Sequence, residues 1–291
     1  MKNSTPIGIR ELHNAGIKVI HGASIKAYED YPVPVSLSVP ELSYMLERRG
    51  YDSTISIGAF DKDDLVGFIF NGIGAWNRKL TAYDTGTGLI KEYRRRGIAT
   101  KLFDASLPLL RQRNVKQYLL EVLQTNKAAY DLYCKKGFRV TRKFDCFISP
   151  IADIRIDEGK LNDKFHIQTI EKPDWELLSS FWEFSPSWQN SIDSLKRKIK
   201  SLTILGAYEN ANFTGYGIIE NHTGDIPQIG IRESCRRNGI ATNLLKKLLE
   251  YSLSDEVRII NASSDYEPFR LFAESINIAQ GLGQYEMLLE L

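Results

Sequence analysis

Arg94-Arg95-Arg96-Gly97-Ile98-Ala99-Thr100 returns, at an offset of 142 residues, as Arg236-Arg237-Asn238-Gly239-Ile240-Ala241-Thr242. In a chain of 291 residues this shift is close to half the length, so it reports a duplicated domain and not a short-period solenoid. The flanks agree. Before the first copy, Thr54 to Phe60, the charged turn Asp61 to Asp64, Leu65 to Phe70 and Thr81 to Ile90 read as three strands, the first two a hairpin. Before the second, Leu202 to Tyr208, a turn at Glu209 to Asn212, Phe213 to Glu220 and Ile226 to Ile231 repeat that order. A helical period follows each copy: Ile98, Leu102, Phe103, Leu107 and Leu110, then Ile240, Leu244, Leu245, Leu248 and Leu249. Pro108 is expected to end or kink the first of these helices early.

Composition sets the frame. With 43% hydrophobic and 25% charged residues the chain is a globular protein, too apolar to be disordered and long enough for two cores. The 38 Lys+Arg against 36 Asp+Glu leave a net charge of +2, so no global field collects nucleic acid or anionic lipid. Three scattered cysteines, Cys134, Cys146 and Cys235, frame neither a disulfide scaffold nor a zinc site and fit a reducing compartment, with the cytoplasm as the expected location. No stretch has the uninterrupted apolar run of a signal peptide or a membrane span. Residues 149–165, charged and without apolar period, are the expected junction; they divide the chain into domains 1–150 and 166–291, with 151–165 as linker. The second domain opens with a strand at His166 to Ile170 and a helix from Asp174, a candidate N-cap, to Trp182.

A strand, a short basic turn and a helix beginning near Gly97 leave backbone N–H groups free at the helix start, where the dipole favours an anion. Gly97 has no side chain to bar a phosphate, Ala99 keeps the next position small, and three arginines can neutralise charge. Alone, the run also fits a solvated basic turn. Its placement after a strand and before an amphipathic helix, twice, favours the phosphate seat.

Both halves resemble the GNAT superfamily of N-acetyltransferases, whose pyrophosphate loop reads Gln/Arg-x-x-Gly-x-Gly/Ala between the fourth strand and third helix. The first half continues the likeness through Leu120-Glu121-Val122, Asn126, Ala129, Leu132-Tyr133 and Gly137-Phe138. The resemblance implies an α/β fold (α+β, mixed sheet) of two tandem domains, each a mostly antiparallel sheet splayed between strands 4 and 5 and flanked by helices. It implies acetyl-CoA in the splay as acetyl donor, with no metal. The cofactor-binding positions are Leu89, Ile90 and Lys91 on the strand, Arg94, Arg95, Arg96, Gly97, Ile98, Ala99 and Thr100 in the loop, and Asn126 beside the CoA arm. Lys91 stands where many members have Pro.

The same resemblance makes Tyr133 the general acid that protonates the leaving thiolate. Packing at helical spacing from Ala129 is the other reading of that ring. Glu121, a carboxylate in an apolar strand, is the leading general base and Asp84 the second choice; each also fits a strand residue facing solvent or capping a loop. Cys134 is expected to be a small buried side chain and not a nucleophile, and the four histidines to be surface or loop residues.

The second half departs on the catalytic side. Counting from Asp265, Phe272 takes the tyrosine's place, Ile276-Asn277 that of Gly137-Phe138, and Ile260 that of Glu121, whereas Arg236 to Ala241 stays intact. The expected protein is an acyltransferase that moves acetyl to a primary amine by direct attack, with its chemistry in the first domain and a degenerate second domain. A chain that binds or senses CoA or acyl-CoA without turnover is the alternative. No nucleic acid or membrane partner is expected, and the chain is expected to be a monomer or homodimer. The acceptor pocket is expected from Ala23 to Arg49, with Tyr28, Tyr31, Glu41 and Tyr44, and from a loop at Gly72 to Lys79, with Trp76.

Overall fold

The computed structural model describes residues 6–33 and 36–291, and its described residues form two units. The first holds the chain up to Val122, Asn126–Thr141 and Glu286–Leu291; the second holds Leu123–Thr125 and Arg142–Tyr285. Pro34 and Val35, inside the expected acceptor segment, lie outside the described residues.

In the first unit the order is β1 (Gly8–Glu11), α1 (Ile17–Ala27), α2 (Val39–Arg48), β2 (Ile57–Asp61), β3 (Asp64–Trp76), β4 (Lys79–Leu89), α3 (Ile98–Gln112), β5 (Gln117–Leu123) and α4 (Lys127–Lys135). The expected hairpin forms: Asp61 faces Asp64, and Lys62 takes a φ of 57° in the two-residue turn. A second such turn, at Asn77 and Arg78 with φ of 49° and 61°, joins β3 to β4. Residues 72–76, expected in a loop, are therefore strand, paired from Gly72↔Tyr83 to Trp76↔Lys79. Asn77 tolerates the left-handed turn that makes this continuation possible. Helix α2 starts on a capping box, with Ser38 and Glu41 exchanging bonds. That bond occupies Glu41, which the sequence had placed in the acceptor pocket.

Helix α3 does not stop at Pro108. It runs to Gln112, because Pro108 and Asp104 are on the exposed side, where water can serve the Asp104 carbonyl that loses its N–H partner. The opposite face buries Ile98, Leu102, Phe103, Ser106 and Leu110. On the other side of the sheet Ile20, Ala23, Leu42 and Leu46 cover Phe68 and Phe70, whose rings stack at 4.0 Å.

β6 (Arg139–Pro150) carries the chain onward to β7 (Phe165–Thr169), α5 (Trp175–Ser179), α6 (Ile192–Arg197), β8 (Leu202–Glu209), β9 (Asn212–Glu220), β10 (Gln228–Ile231), α7 (Ile240–Leu249), β11 (Glu256–Ser263), α8 (Glu267–Ser275) and β12 (Gln284–Glu290). Asp174 caps α5 by accepting from the Glu176 and Leu177 N–H groups. Two short 3-10 turns occupy 151–153 and 158–160 in the expected junction. The strands β10-β9-β8-β7 form an antiparallel sheet, and β11 pairs with the second-unit part of β6. Leu244, Leu245 and Leu248 of α7 bury against Leu205, Ile219 and Val257.

In the first unit the order is β1-β2-β3-β4-β5, with β12 next to β5. Within that unit the Thr141 hydroxyl donates to Glu286 Oε1 at 2.7 Å, and the Leu291 N–H to the Lys116 carbonyl at 3.0 Å.

Candidate functional site

The first unit parts its sheet ahead of the turn that carries Arg94 to Gly97. β4 and β5 run parallel and pair only from Thr81↔Gln117 to Asp84↔Leu120. β4 stays paired with β3 up to Leu89, and a bulge between Asn71↔Asp84 and Phe70↔Gly86 adds Thr85 at the point of parting. From there each strand turns an unpaired edge to the gap.

Past β4, the Ile90 N–H donates to the Val66 carbonyl, a 3-10 turn covers Lys91–Tyr93, and Arg95 and Gly97 take φ of 59° and 73°. Gly97 is the N-cap of α3 and gives no side-chain cap. A β-carbon there would meet nothing within 4 Å, so the first N–H groups of the helix face open space. Arg95 and Arg96 are exposed. Arg94 is engaged inward: Nε donates to the Leu89 carbonyl, Nη2 to that of Ala27, and both terminal nitrogens pair with Asp30 at 2.8 and 2.7 Å. Its guanidinium therefore fastens the turn to the end of α1. Arg94→Ala is expected to raise the KM for acetyl-CoA by about fivefold or less, a half-exposed pair being worth little, with kcat kept; steady-state kinetics checks this.

Asn126 caps α4 by accepting from the Ala129 N–H at 3.2 Å. Seven residues on, Tyr133 is buried, its ring edge-on to Phe103 at 5.6 Å and tilted to Phe138 at 5.7 Å. Burial first, then Asp84, Tyr28 and Tyr31, push its phenol well above the ordinary range, with a hydrogen bond to Thr87 pulling back slightly. It therefore keeps its proton at any working pH. Thr87 in turn donates to Asp84 Oδ2 at 2.6 Å, and the Gly86 N–H to Oδ1 at 2.9 Å. Glu121 stands one residue past the last β4/β5 pair, and the buried Tyr83 hydroxyl donates to its Oε2. Thr87 and Tyr83 belong to no motif; only the register of β4, which turns alternate residues to one face, could have singled them out. Cys134 is exposed, not buried: it neighbours Tyr133 on a helix whose apolar side is already taken by that ring.

Burial raises the Asp84 carboxyl to about 6, against the pull of Thr87, Gly86 and Arg49. The native chain thus binds more protons than the unfolded one between pH about 4 and 6, and stability falls as pH rises through that window. Asp84→Asn should recover about 2 kcal/mol at pH 7.5 and nothing near pH 4, read by urea denaturation at both.

The second unit repeats the turn. Arg237 and Gly239 take φ of 61° and 80°, Arg236 Nε donates to the Ile231 carbonyl at 3.2 Å, and its terminal nitrogen pairs with Glu183. Asp225, ahead of β10, forms an isolated parallel bridge with Arg258 of β11, and beside the gap between β10 and β11 lies a cavity of about 900 Å³. The second unit's helix lies one residue later than a count from Asp265 places it. The Phe138 N–H donates to the Tyr133 carbonyl and the Ile278 N–H to that of Ala273, both at 3.0 Å; Gly137 and Asn277 share a positive φ. Ala273, not Phe272, stands in the tyrosine's place, and Asn277-Ile278 in that of Gly137-Phe138. Asp265 likewise precedes the N-cap, which is Tyr266 and makes no side-chain cap bond.

Residues 25–138 and 167–268 each match the Acetyltransferase (GNAT) family. N-alpha-acetyltransferase 30 of Schizosaccharomyces pombe is 41% identical over 59 residues; that stretch is 20% of this chain, which spans about two fifths (39%) of the relative's length. A tandem GNAT protein from the clavulanic acid biosynthesis pathway superposes with a TM-score of 0.73 at 13% identity, covering 98% of both chains. A GCN5-related N-acetyltransferase from Sphaerobacter thermophilus gives 0.73 at 17% identity, over 98% of this chain and 95% of that one. At such identities the likeness is one of fold. Among the described residues no helix is long and apolar enough to cross a membrane.

Proposed function

Since this chain belongs to the acetyltransferase (GNAT) family, we propose that its first unit transfers acetyl from acetyl-CoA to a primary amine by direct attack. The observation that carries this reading is the parting of β4 and β5 at Asp84↔Leu120, with the buried, protonated Tyr133 in the environment of Asp84 and Thr87. The phosphates would sit on the turn from Arg95 to Thr100, and the amide arm along Leu89 to Lys91 and beside Asn126. The amine attacks the thioester carbon and the carbon–sulfur bond breaks. Tyr133 gives its proton to the thiolate, and the proton lost by the amine passes through water to Glu121 or, failing that, Asp84. Tyr28 and Tyr31, which crowd the same phenol, give the acceptor aromatic faces.

The short match to an N-alpha-acetyltransferase supports an amine acceptor, with a peptide α-amine among the candidates. The net charge of +2 supports a protein that works without nucleic acid or an anionic membrane surface, and the free cysteines support a reducing compartment such as the cytoplasm. The test is a panel of small amines and peptide N-termini with acetyl-CoA, following free thiol. Thiol release with at least one amine, slowed about 100-fold or more by Tyr133→Phe, is expected; CoA binding with no release across the panel would favour a sensor.

A further inference from the structure

Side chains three residues apart on a regular strand point to opposite faces, so Asp84 and Thr87 of β4 should not meet. They do: the Thr87 hydroxyl donates to Asp84 Oδ2 at 2.6 Å. The cause is the bulge between Asn71↔Asp84 and Phe70↔Gly86, whose extra residue, Thr85, resets the alternation and turns Thr87 back to the face that Asp84 occupies. Gly86, between them, faces the other way: a β-carbon there would meet Tyr28 Oη at 3.0 Å and the Phe70 ring at 3.8 Å. Its N–H donates to Asp84 Oδ1 at 2.9 Å and fixes the carboxylate.

On its other side Thr87 shares a hydrogen bond with the buried Tyr133 phenol. A hydroxyl accepts from one neighbour while donating to another, and it exchanges the two roles by rotating. With Asp84 ionised, the Thr87 proton points to the carboxylate and the phenol donates to Thr87 Oγ1. A proton on Asp84 Oδ2 reverses the chain: the carboxyl donates to Thr87, Thr87 donates to Tyr133, and the phenol proton is freed for a third partner. The energetics favour such a supply. A buried phenol held well above its ordinary range is a poor donor to a thiolate whose thiol, like that of cysteine, ionises at about 8.5, because a phenolate would be left in the interior. Asp84, raised only to about 6, leaves the charge on a carboxylate that Thr87 and Gly86 already hold.

We propose that Thr87 is a proton relay between Asp84 and Tyr133, so that the proton taken from the attacking amine is passed back to the leaving sulfur. The relay rests on the acyl transfer proposed above. The amine nitrogen bonds to the thioester carbon and the carbon–sulfur bond breaks. Water carries the proton of the nitrogen to Asp84 Oδ2; that proton moves to Thr87 Oγ1, the Thr87 proton to the Tyr133 oxygen, and the Tyr133 proton to sulfur. Asp84, Thr87 and Tyr133 end as they began. Thr87 touches neither thioester nor amine in this scheme, so it is a positioning residue that acts through Tyr133.

The test is single-turnover thiol release by the full chain, with saturating acetyl-CoA and the most active amine of the panel above. Thr87→Val keeps the shape of the side chain without its hydroxyl and should slow release at least about tenfold, while acetyl-CoA affinity stays within about twofold. Thr87→Ala should do the same, and covers the case of a valine variant that fails to fold. Thr87→Ser, which restores the hydroxyl, should run within about threefold of wild type. Asp84→Asn, whose amide cannot pass a proton along the chain, should be slowed at least as much as Thr87→Val. Beside Tyr133→Phe, Thr87→Val should slow release no more than about twofold further, because the path then leads nowhere. A full rate in the Thr87→Val and Thr87→Ala variants or in Asp84→Asn, a Thr87→Ser as slow as Thr87→Val, or losses that multiply with that of Tyr133→Phe would each overturn the relay and leave Tyr133 as the acid. A full rate in Tyr133→Phe, or no turnover with any amine, would overturn the relay together with the reaction it rests on.

Discussion

Gly97→Glu is expected to cut acetyl-CoA affinity and turnover by about 100-fold or more. A β-carbon at a φ of 73° brings about 1–2 kcal/mol of strain. The larger effect is electrostatic: the open space before α3 would hold a carboxylate where phosphate meets the free N–H groups, removing charge-assisted bonds worth about 1.5–3 kcal/mol each. Two to three such losses reach the stated factor, since 1.4 kcal/mol is about tenfold. The side chain has room, so the variant should fold, and a melt beside the titration verifies this. Gly239→Glu, at the mirrored turn, should cost far less turnover. The reverse order of the two variants would put the chemistry in the second unit.

Tyr133→Phe should lower kcat by about 100-fold or more while leaving CoA binding within about threefold. The substitution removes one oxygen from a ring held by Phe103 and Phe138, so packing is kept. Because burial holds the phenol protonated, the wild-type rate should show no loss of this acid anywhere below pH 10. Pre-steady-state thiol release separates the chemical step from binding. Parallel losses of affinity and rate would mean that the hydroxyl serves the architecture of α4, and Tyr133 would lose its place as general acid.

Much of this was legible in the chain because the repeated turn demands its own geometry. Arg95 and Arg237, like Gly97 and Gly239, adopt the same left-handed conformations, and Asn126 and Asp174 cap the helices their positions announce. What the chain concealed was partnership. Arg94 reads as one of three equivalent cations, yet Asp30, sixty-four residues away, claims it. Glu121 reads as a solitary carboxylate, yet Tyr83 from the neighbouring strand occupies it. A count from Asp265 puts the second unit's helix one residue out of phase, because Asp265 lies outside the helix; the hydrogen bond from Ile278 to Ala273 shows the phase. The second unit's cavity leaves no mark in the sequence, because Trp182 and Phe184 come from an irregular stretch with no motif.

The placement of Glu286–Leu291 in the first unit, on β12 beside β5, bears on how this protein is made. A chain emerging from the ribosome at about 5–20 residues per second has all of β1 to β5 long before the strand that borders them. Until β12 has been made, β5 keeps an open edge of the kind that pairs with other chains. Gene duplication would ordinarily yield a first copy able to mature during synthesis. Here completion waits for residues 286–291, so a chain truncated before them would leave its first unit, and not just its second, unfinished.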